Sequence, residues 1–189
     1  MSEAAANLFR SLDRELWVIT ARHADQASGL ISTSVSQASI QAASPRLMVG
    51  LARQHLTGQL VEKAGVFTAH LIDASQHDWV KHFGTQTGRQ TDKFSGMQLR
   101  TGVTGAPILT EARAWLECRI EASLDSGDRL WYLAEVVDAK WEAGFTPYTF
   151  QQFLKSADDD LKTLLKQQLE ADSLKDAELV AAWKSRFSD

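Results

Sequence analysis

Much of the chain up to residue 145 consists of short runs of β-branched and apolar residues that polar segments separate. LWVIT (residues 16–20) and VFTAHLI (66–72) are two of these runs, and each has the length and composition of a β-strand. Two longer runs, residues 114–127 and 128–142, are joined by a tight SGD connection that is typical of a hairpin. The pattern therefore predicts a mainly β, barrel-like core.

Helical patterns interrupt the predicted strands. A leading helix is expected within residues 3–16, and a third helix within residues 75–84. Between them, HLTGQLVEKAG (55–65) predicts a helix with Thr57 as its N-cap and Gly65 just past its end. These helices are expected to flank the barrel.

Helical spacing returns in the chain from residue 146 onward. Thr146 precedes a proline in the manner of a helix N-cap, and a second short helix is expected around residues 179–187. We therefore expect one domain over residues 1–145. Residues 146–189 would form a helical extension that packs on this domain or on a partner subunit.

Composition excludes several classes of protein. One cysteine among 189 residues excludes an intramolecular disulfide framework and a multi-cysteine zinc site. A net charge of −4 gives no general attraction to nucleic acid or anionic membranes. No apolar window is long enough to span a bilayer, and the N-terminus lacks the pattern of a secretory signal, so a cytoplasmic location is expected.

The sequence lacks the common motifs that indicate a catalytic, nucleotide-binding or metal-binding site. The five histidines have no metal-site spacing, and no phosphate loop, dinucleotide fingerprint, zinc-protease or nucleophile-elbow motif is found. No metal is therefore expected. Cys118 stands in an apolar strand, where a free thiol is usually part of the core.

The most informative stretch is the hydroxyl-rich segment over residues 29–40. Five hydroxyl residues crowd this predicted strand and its exit: Ser32, Thr33, Ser34, Ser36 and Ser39. A buried strand seldom carries so many hydroxyls unless a polar group satisfies them. Arg53, His55 and Thr57 then stand just before a helix start, and this set of groups suits a phosphate. The alternative is a solvent-facing strand followed by a simple helix cap.

Several motifs in this order resemble the flavin reductase-like family of FMN-binding split barrels. The motifs are GLISTSVSQAS (29–39), SPRLMVGL (44–51), RQHLT (53–57), FTAHLI (67–72), GR (88–89) with DKF (92–94), GAPIL (105–109), AWLEC (114–118) and GD (127–128). The resemblance extends over roughly residues 8–140. It implies a six-stranded antiparallel split β-barrel, with C-terminal helices, that works as a homodimer and holds FMN near the subunit interface.

The resemblance also implies roles for individual residues. Those placed along the isoalloxazine ring are Ser32, Thr33, Ser34, Val35, Ser36 and Gln37. Those placed at the phosphate are Arg53, His55 and Thr57, with Arg89 and Lys93 reaching the flavin from a loop. Trp183 or Phe187 covering the flavin edge is an alternative to simple packing of the tail.

The activity that the resemblance implies is an oxidoreductase that passes electrons from NAD(P)H through FMN to a flavin or another acceptor. The flavin ring performs such chemistry, so no catalytic residue is identified. Family members that use NAD(P)H efficiently often have Gly-Asp-His in the last hairpin, where this chain has Arg129. Arg129 is either an NAD(P)H contact or a solvated turn residue. The alternatives are an FMN-binding electron carrier without a nucleotide site, or a barrel that has lost its flavin.

Overall fold

The strands of the protein are described by a computed structural model covering residues 3–187. In chain order they are β1 (Trp17–His23), β2 (Gln26–Ser32), β3 (Val35–Gln37), β4 (Arg46–Ala52), β5 (Val66–Leu71), β6 (Leu99–Thr101), β7 (Pro107–Leu109), β8 (Ala114–Asp125) and β9 (Arg129–Trp141). Seven of them form one antiparallel sheet in the order β2-β1-β5-β8-β9-β4-β3, and β6 pairs with β7. The predicted hairpin is confirmed as β8 and β9.

Five α-helices accompany the sheet. They are α1 (Glu3–Ser11), α2 (Leu56–Ala64), α3 (His77–Gly84), α4 (Phe150–Ser156) and α5 (Asp159–Lys184). Gly65 ends α2 in the left-handed conformation, as predicted. The prediction of Thr57 as N-cap is wrong, because His55 holds that position and Thr57 lies inside the first turn.

The C-terminal extension also differs from its prediction. Thr149, not Thr146, caps α4, because its hydroxyl accepts from the Gln152 N–H while the Gln152 side chain returns to the Thr149 N–H. The expected short second helix is the end of α5, which runs unbroken over 26 residues. No glycine or proline interrupts that segment, so nothing in its backbone chemistry stops the helix.

The seven-stranded sheet is curled so that its two edges meet. β2 and β3 are the outermost strands on opposite edges, yet only Thr33 and Ser34 separate them in the chain. Three peptide steps span at most about 11 Å, whereas six strand spacings of a flat sheet would span about 29 Å. The sheet is therefore a half-barrel with a seam at residues 32–35. The fold agrees with the expected split barrel, with seven strands in place of six.

Side-chain alternation divides the interior into two hydrophobic clusters. Val18 and Ile19 are neighbours on β1, both fully buried, and they point to opposite faces of the sheet. Ile19 lies inside the barrel with α2, together with Cys118, whose thiol has its pKa raised by burial. Val18 lies in the outer cluster with α3.

The C-terminal helices share the outer cluster. Phe153 of α4 is completely buried, and Leu161 of α5 is nearly so; both belong to the cluster that holds Trp79 and Phe83. The extension therefore packs on the barrel of its own chain in this structure. The division at residue 145 remains a prediction about folding units.

Residues 3–187 contain neither a membrane-spanning helix nor a cluster of metal-ligating side chains. No helix in this range combines the length and the apolar character needed to cross a membrane. No group of three or more histidine, cysteine, aspartate or glutamate side chains in the same range is arranged to hold a metal ion.

Candidate functional site

The seam of the half-barrel brings the hydroxyl-rich segment to one place. The Ser34 N–H donates to Ser32 Oγ at 3.1 Å, which turns the chain out of β2. The Ser34 carbonyl then accepts from the Gly50 N–H of β4 at 2.9 Å. These bonds leave Thr33 half-buried at the point where the chain crosses between the sheet edges.

The N-terminus of α2 opens beside this seam. His55 is its N-cap, and no side chain among residues 3–187 hydrogen-bonds to the N–H groups of the first turn as a cap. Unpaired N–H groups and the helix dipole make such an end a binding site for anions. Thr57 is 2% exposed, and its hydroxyl donates to Ser28 Oγ at 3.0 Å, so its side chain is turned into the protein.

A cavity of about 390 Å³ joins the seam to the loop that precedes α2. Its barrel side is lined by Ser32, Thr33 and Ser34, and its far side by His55 and Arg129. Pockets of roughly 300–1,000 Å³ with a few convergent polar groups are typical of cofactor sites. Four of the predicted flavin residues therefore line one cavity, together with the predicted NAD(P)H contact Arg129.

Gln54 also lines this cavity, although it carried no signal in the sequence. Its Oε1 atom is buried and accepts no hydrogen bond from residues 3–187, while its Nε2 donates to Asp176 Oδ1 at 3.2 Å. A buried acceptor without a donor costs roughly 1–3 kcal/mol. A hydroxyl or ring N–H of a bound molecule would satisfy it, which fits a flavin.

One wall of the cavity comes from the C-terminal helix α5. This wall consists of Leu169, Asp172, Ser173 and Asp176, which follow the seam by more than 130 residues in the chain. Local patterns along the sequence give no signal for this contact, since the four residues form no motif of their own. Trp183, one of the two candidates for covering the flavin edge, packs on the β8–β9 turn, where a Cβ on Gly127 would lie 2.8 Å from its Cβ.

Arg53 and Arg89 each have partners of their own in this structure. Arg53, a candidate for the phosphate, pairs with Asp125 at 2.8 Å, outside the cavity lining. Arg89 is expected to reach the flavin from a loop. Its guanidinium donates to Gln59 Oε1 at 2.8 Å and to the Gln54 carbonyl at 3.4 Å, so it lies beside the loop that begins α2.

Lys93 is buried away from the cavity. Its ammonium donates to the carbonyls of Gly29 at 2.8 Å and Phe83 at 2.9 Å, and it therefore ties β2 to α3. Burial lowers the pKa of Lys93 to about 8. Both bonds hold the strand that leads into the seam, so the geometry supports a positioning role behind the site.

The β3 candidates line the outer side of the seam. Val35, Ser36 and Gln37 pair with β4, and none of the three lines the cavity of the seam. Gln37 lies in a separate groove with Trp17, and its side chain donates to the Ser39 carbonyl at 2.7 Å.

Arg129 is held by carboxylates of its own chain. Its guanidinium lies 3.5 Å from Asp128 and 3.7 Å from Asp176. Burial raises the pKa of Asp176 above its ordinary value; Arg129 opposes this shift, and the nearby Asp128 and Asp172 add to it.

The chain has the architecture of the split-barrel class of proteins. Its sheet forms a half-barrel, and a hydroxyl-lined cavity lies at the seam beside the N-cap of α2. The chain belongs to the family described as "Flavin reductase like domain", whose model matches residues 9–153. The resemblance seen in the sequence is thereby confirmed.

Known proteins similar to this chain include two curated relatives and a solved structure. Diflavin flavoprotein A 3 of Synechocystis sp. is 34% identical over 124 residues, which are 65% of this chain and 20% of that protein. The ferric-chelate reductase (NAD(P)H) of Archaeoglobus fulgidus is 25% identical, over 70% of this chain and 78% of that protein. The FMN-binding protein from Thermus thermophilus matches with a TM-score of 0.65 and 25% identity, over 73% of this chain and 77% of that one.

The diflavin flavoproteins are much longer than the segment they share with this chain. The match covers about a fifth of their length, 20% in the Synechocystis protein and 21% in one from Nostoc sp.. The similarity therefore concerns only a part of those proteins.

Proposed function

We propose that the chain binds FMN in the seam cavity and acts as an NAD(P)H-dependent flavin reductase-like oxidoreductase. The observation that supports this proposal most directly is that residues 32–34 and His55, the N-cap of α2, line one cavity. Membership of the flavin reductase like domain family supports it. When bound, FMN supplies hydride and single-electron chemistry.

The residues of the chain would bind and orient this cofactor. Backbone groups at Ser32, Thr33 and Ser34 would lie along the ring, and the N–H groups that begin α2 would hold the phosphate with His55 and Arg89 beside them. Gln54 Oε1 would accept from a ribityl hydroxyl or a ring N–H. None of these roles requires an acid, a base or a nucleophile, because the protein contributes orientation and electrostatics.

The proposed co-substrate and assembly rest on the relatives. The Archaeoglobus fulgidus relative carries NAD(P)H in its name, and it matches over most of its length. We extend NAD(P)H use to this chain on that basis, together with the homodimer that the sequence resemblance implies. The electron acceptor would be a flavin or another small or protein acceptor.

An electron carrier without a nucleotide site is the second candidate function. One observation favours it: the Arg129 guanidinium, the predicted NAD(P)H contact, is already paired with Asp128 and Asp176. A carrier would hold FMN in the same cavity and exchange electrons with a partner protein.

An absorption spectrum with anaerobic titrations separates these functions. Purified protein incubated with FMN should show a bound-flavin spectrum, and NADH or NADPH should bleach it. Bleaching by dithionite alone would establish the carrier. Protein that binds neither FMN nor FAD would contradict both functions.

A cavity-filling variant tests the location of the site. Thr33→Trp places an indole at the seam, so we expect FMN affinity to fall at least about tenfold, as steric exclusion would cause. Thr101→Trp, at an exposed position of β6, is the matched control and should bind FMN like the parent. Equal FMN binding by Thr33→Trp and the parent would place the site elsewhere.

A further inference from the structure

The C-terminal helix α5 places two carboxylates against the polar groups of the seam cavity. Asp172 Oδ2 lies 3.1 Å from His55 Nε2. Asp176 Oδ1 accepts from Gln54 Nε2 at 3.2 Å, and its other oxygen lies 3.7 Å from the Arg129 guanidinium. Both carboxylates therefore bind side chains, those of His55, Gln54 and Arg129, that could otherwise bind an anion in the cavity.

These contacts are among several that hold α5 on the barrel, beside Leu165 against the outer cluster and the bond that Gln168 Nε2 donates to the Thr85 carbonyl at 3.0 Å. Leu161 in the first turn is the one residue of Asp159–Lys184 that is buried. Leu169 and Leu174, further along, are 70% and 74% exposed. The middle of the helix therefore has little apolar burial to keep it in place, and its polar contacts with the cavity matter correspondingly more.

Asp172 contacts a group that is expected to hold the flavin phosphate. His55 is the N-cap of α2, and the N–H groups that follow it are the anion site inferred above. A carboxylate on the His55 Nε2 atom therefore takes up a hydrogen-bonding group that the phosphate would use. Two negative groups cannot share such a place without strong repulsion, because the cavity is partly shielded from water.

We propose that Asp172 and Asp176 determine which flavins this site accepts, by holding donors that a flavin phosphate would use. This inference rests on the proposed flavin site. FMN must displace or repel these carboxylates, whereas riboflavin carries no phosphate and meets no such charge conflict. The two carboxylates thus lower the affinity for FMN and leave that for riboflavin unchanged, so the two affinities become more similar. Repulsion of one ligand is a general means of changing selectivity.

Flavin titrations of charge-neutral variants test this selectivity. In full-length protein, the double variant Asp172→Asn and Asp176→Asn should bind FMN about tenfold more tightly than the parent, while riboflavin affinity changes less than about threefold. Glu178→Gln is the control, since it removes one negative charge from an exposed position of α5 outside the cavity. It should leave both affinities unchanged.

A measurement without flavin tests the same contacts. Amide hydrogen exchange should become faster in the later turns of α5 in the double variant, because two of its anchors to the barrel are weakened. Glu178→Gln should exchange like the parent. Unchanged exchange in the double variant would show that the two carboxylates do not hold the helix, and would overturn the inference.

The outcomes distinguish this inference from the function on which it rests. If the parent binds FMN and the double variant has the same ratio of FMN to riboflavin affinity, the selectivity role is wrong and the flavin site stands. If both flavins gain affinity equally, α5 is a steric cover and the charge argument is wrong. If no folded variant binds any flavin, the proposed function fails with it.

Discussion

His70, near the end of β5, is a buried histidine with a hydrogen-bond partner on each ring nitrogen. The imidazole is completely buried, with Nδ1 3.0 Å from the Val18 carbonyl and Nε2 accepting from the Leu109 N–H at 3.1 Å. This arrangement requires a proton on Nδ1 and none on Nε2, which is the neutral ring. Burial lowers the pKa of His70 to about 4.

This histidine makes stability depend on pH. An unfolded chain protonates His70 near pH 6.5, whereas the folded chain resists protonation until about pH 4, so the folded state loses stability as the pH falls through this window. We expect a loss of up to about 3 kcal/mol from this group. Urea unfolding at several pH values would measure it.

The comparison needs variants that isolate one histidine. His70→Gln should show a shallower loss between pH 6.5 and 4, and His23→Gln, at the exposed end of β1, should follow the parent. A parent whose His70 titrates near pH 6.5 by NMR would contradict the prediction.

Some of the residues that line the seam cavity could be predicted from the sequence, and others could not. The seam hydroxyls Ser32, Thr33 and Ser34 could be predicted because several polar residues in one strand are a local pattern. Gln54 and Asp172 could not, because each becomes part of the site only through a contact with a distant segment.

At the scale of elements, local sequence determines where the helix α2 ends but not where it begins. Its C-terminal end was predictable because Gly65 adopts φ +68°, a conformation that glycine reaches at no steric cost. Its start was not, because no side chain of the described residues caps it and the helix begins where the loop after β4 turns. Helix starts left open for a ligand lack the usual capping signal.

Replacing Gly65 tests that end. Gly65→Ala should lower the free energy of unfolding by about 1–2 kcal/mol, since a Cβ disfavours the left-handed conformation. No atom lies within 4 Å of the added Cβ, so a clash would not contribute. Urea unfolding should also show a smaller loss for Gly65→Asn, because asparagine tolerates this conformation better. Equal losses for both variants would contradict the argument.

At the scale of the whole molecule, the outer cluster joins the C-terminal helices to the barrel. Phe153 is completely buried there with Trp79 and Phe83, which come from α3. The helices from residue 146 onward therefore add apolar burial to the same core as the barrel. We expect the two parts to unfold together.

Truncating Phe153 tests this cooperation. Phe153→Ala should lower the free energy of unfolding by about 3–5 kcal/mol. Helix content by circular dichroism and tryptophan fluorescence should lose signal in one coincident transition. Phe150→Ala, at a position 36% exposed, is the control and should cost much less. A separate early loss of helix in the parent would instead show that the extension is an independent unit.

The sequence by itself determined the strand-rich barrel, the family and the hydroxyl segment at its seam, because alternation, glycine turns and local motifs are written along neighbouring residues. The tertiary structure decided which of the candidates share a cavity. It buried Lys93 behind β2, turned Thr57 inward and brought Asp172 and Asp176 of α5 against His55 and Arg129. Such contacts join segments more than a hundred residues apart, and only packing of the helix on the barrel determines them.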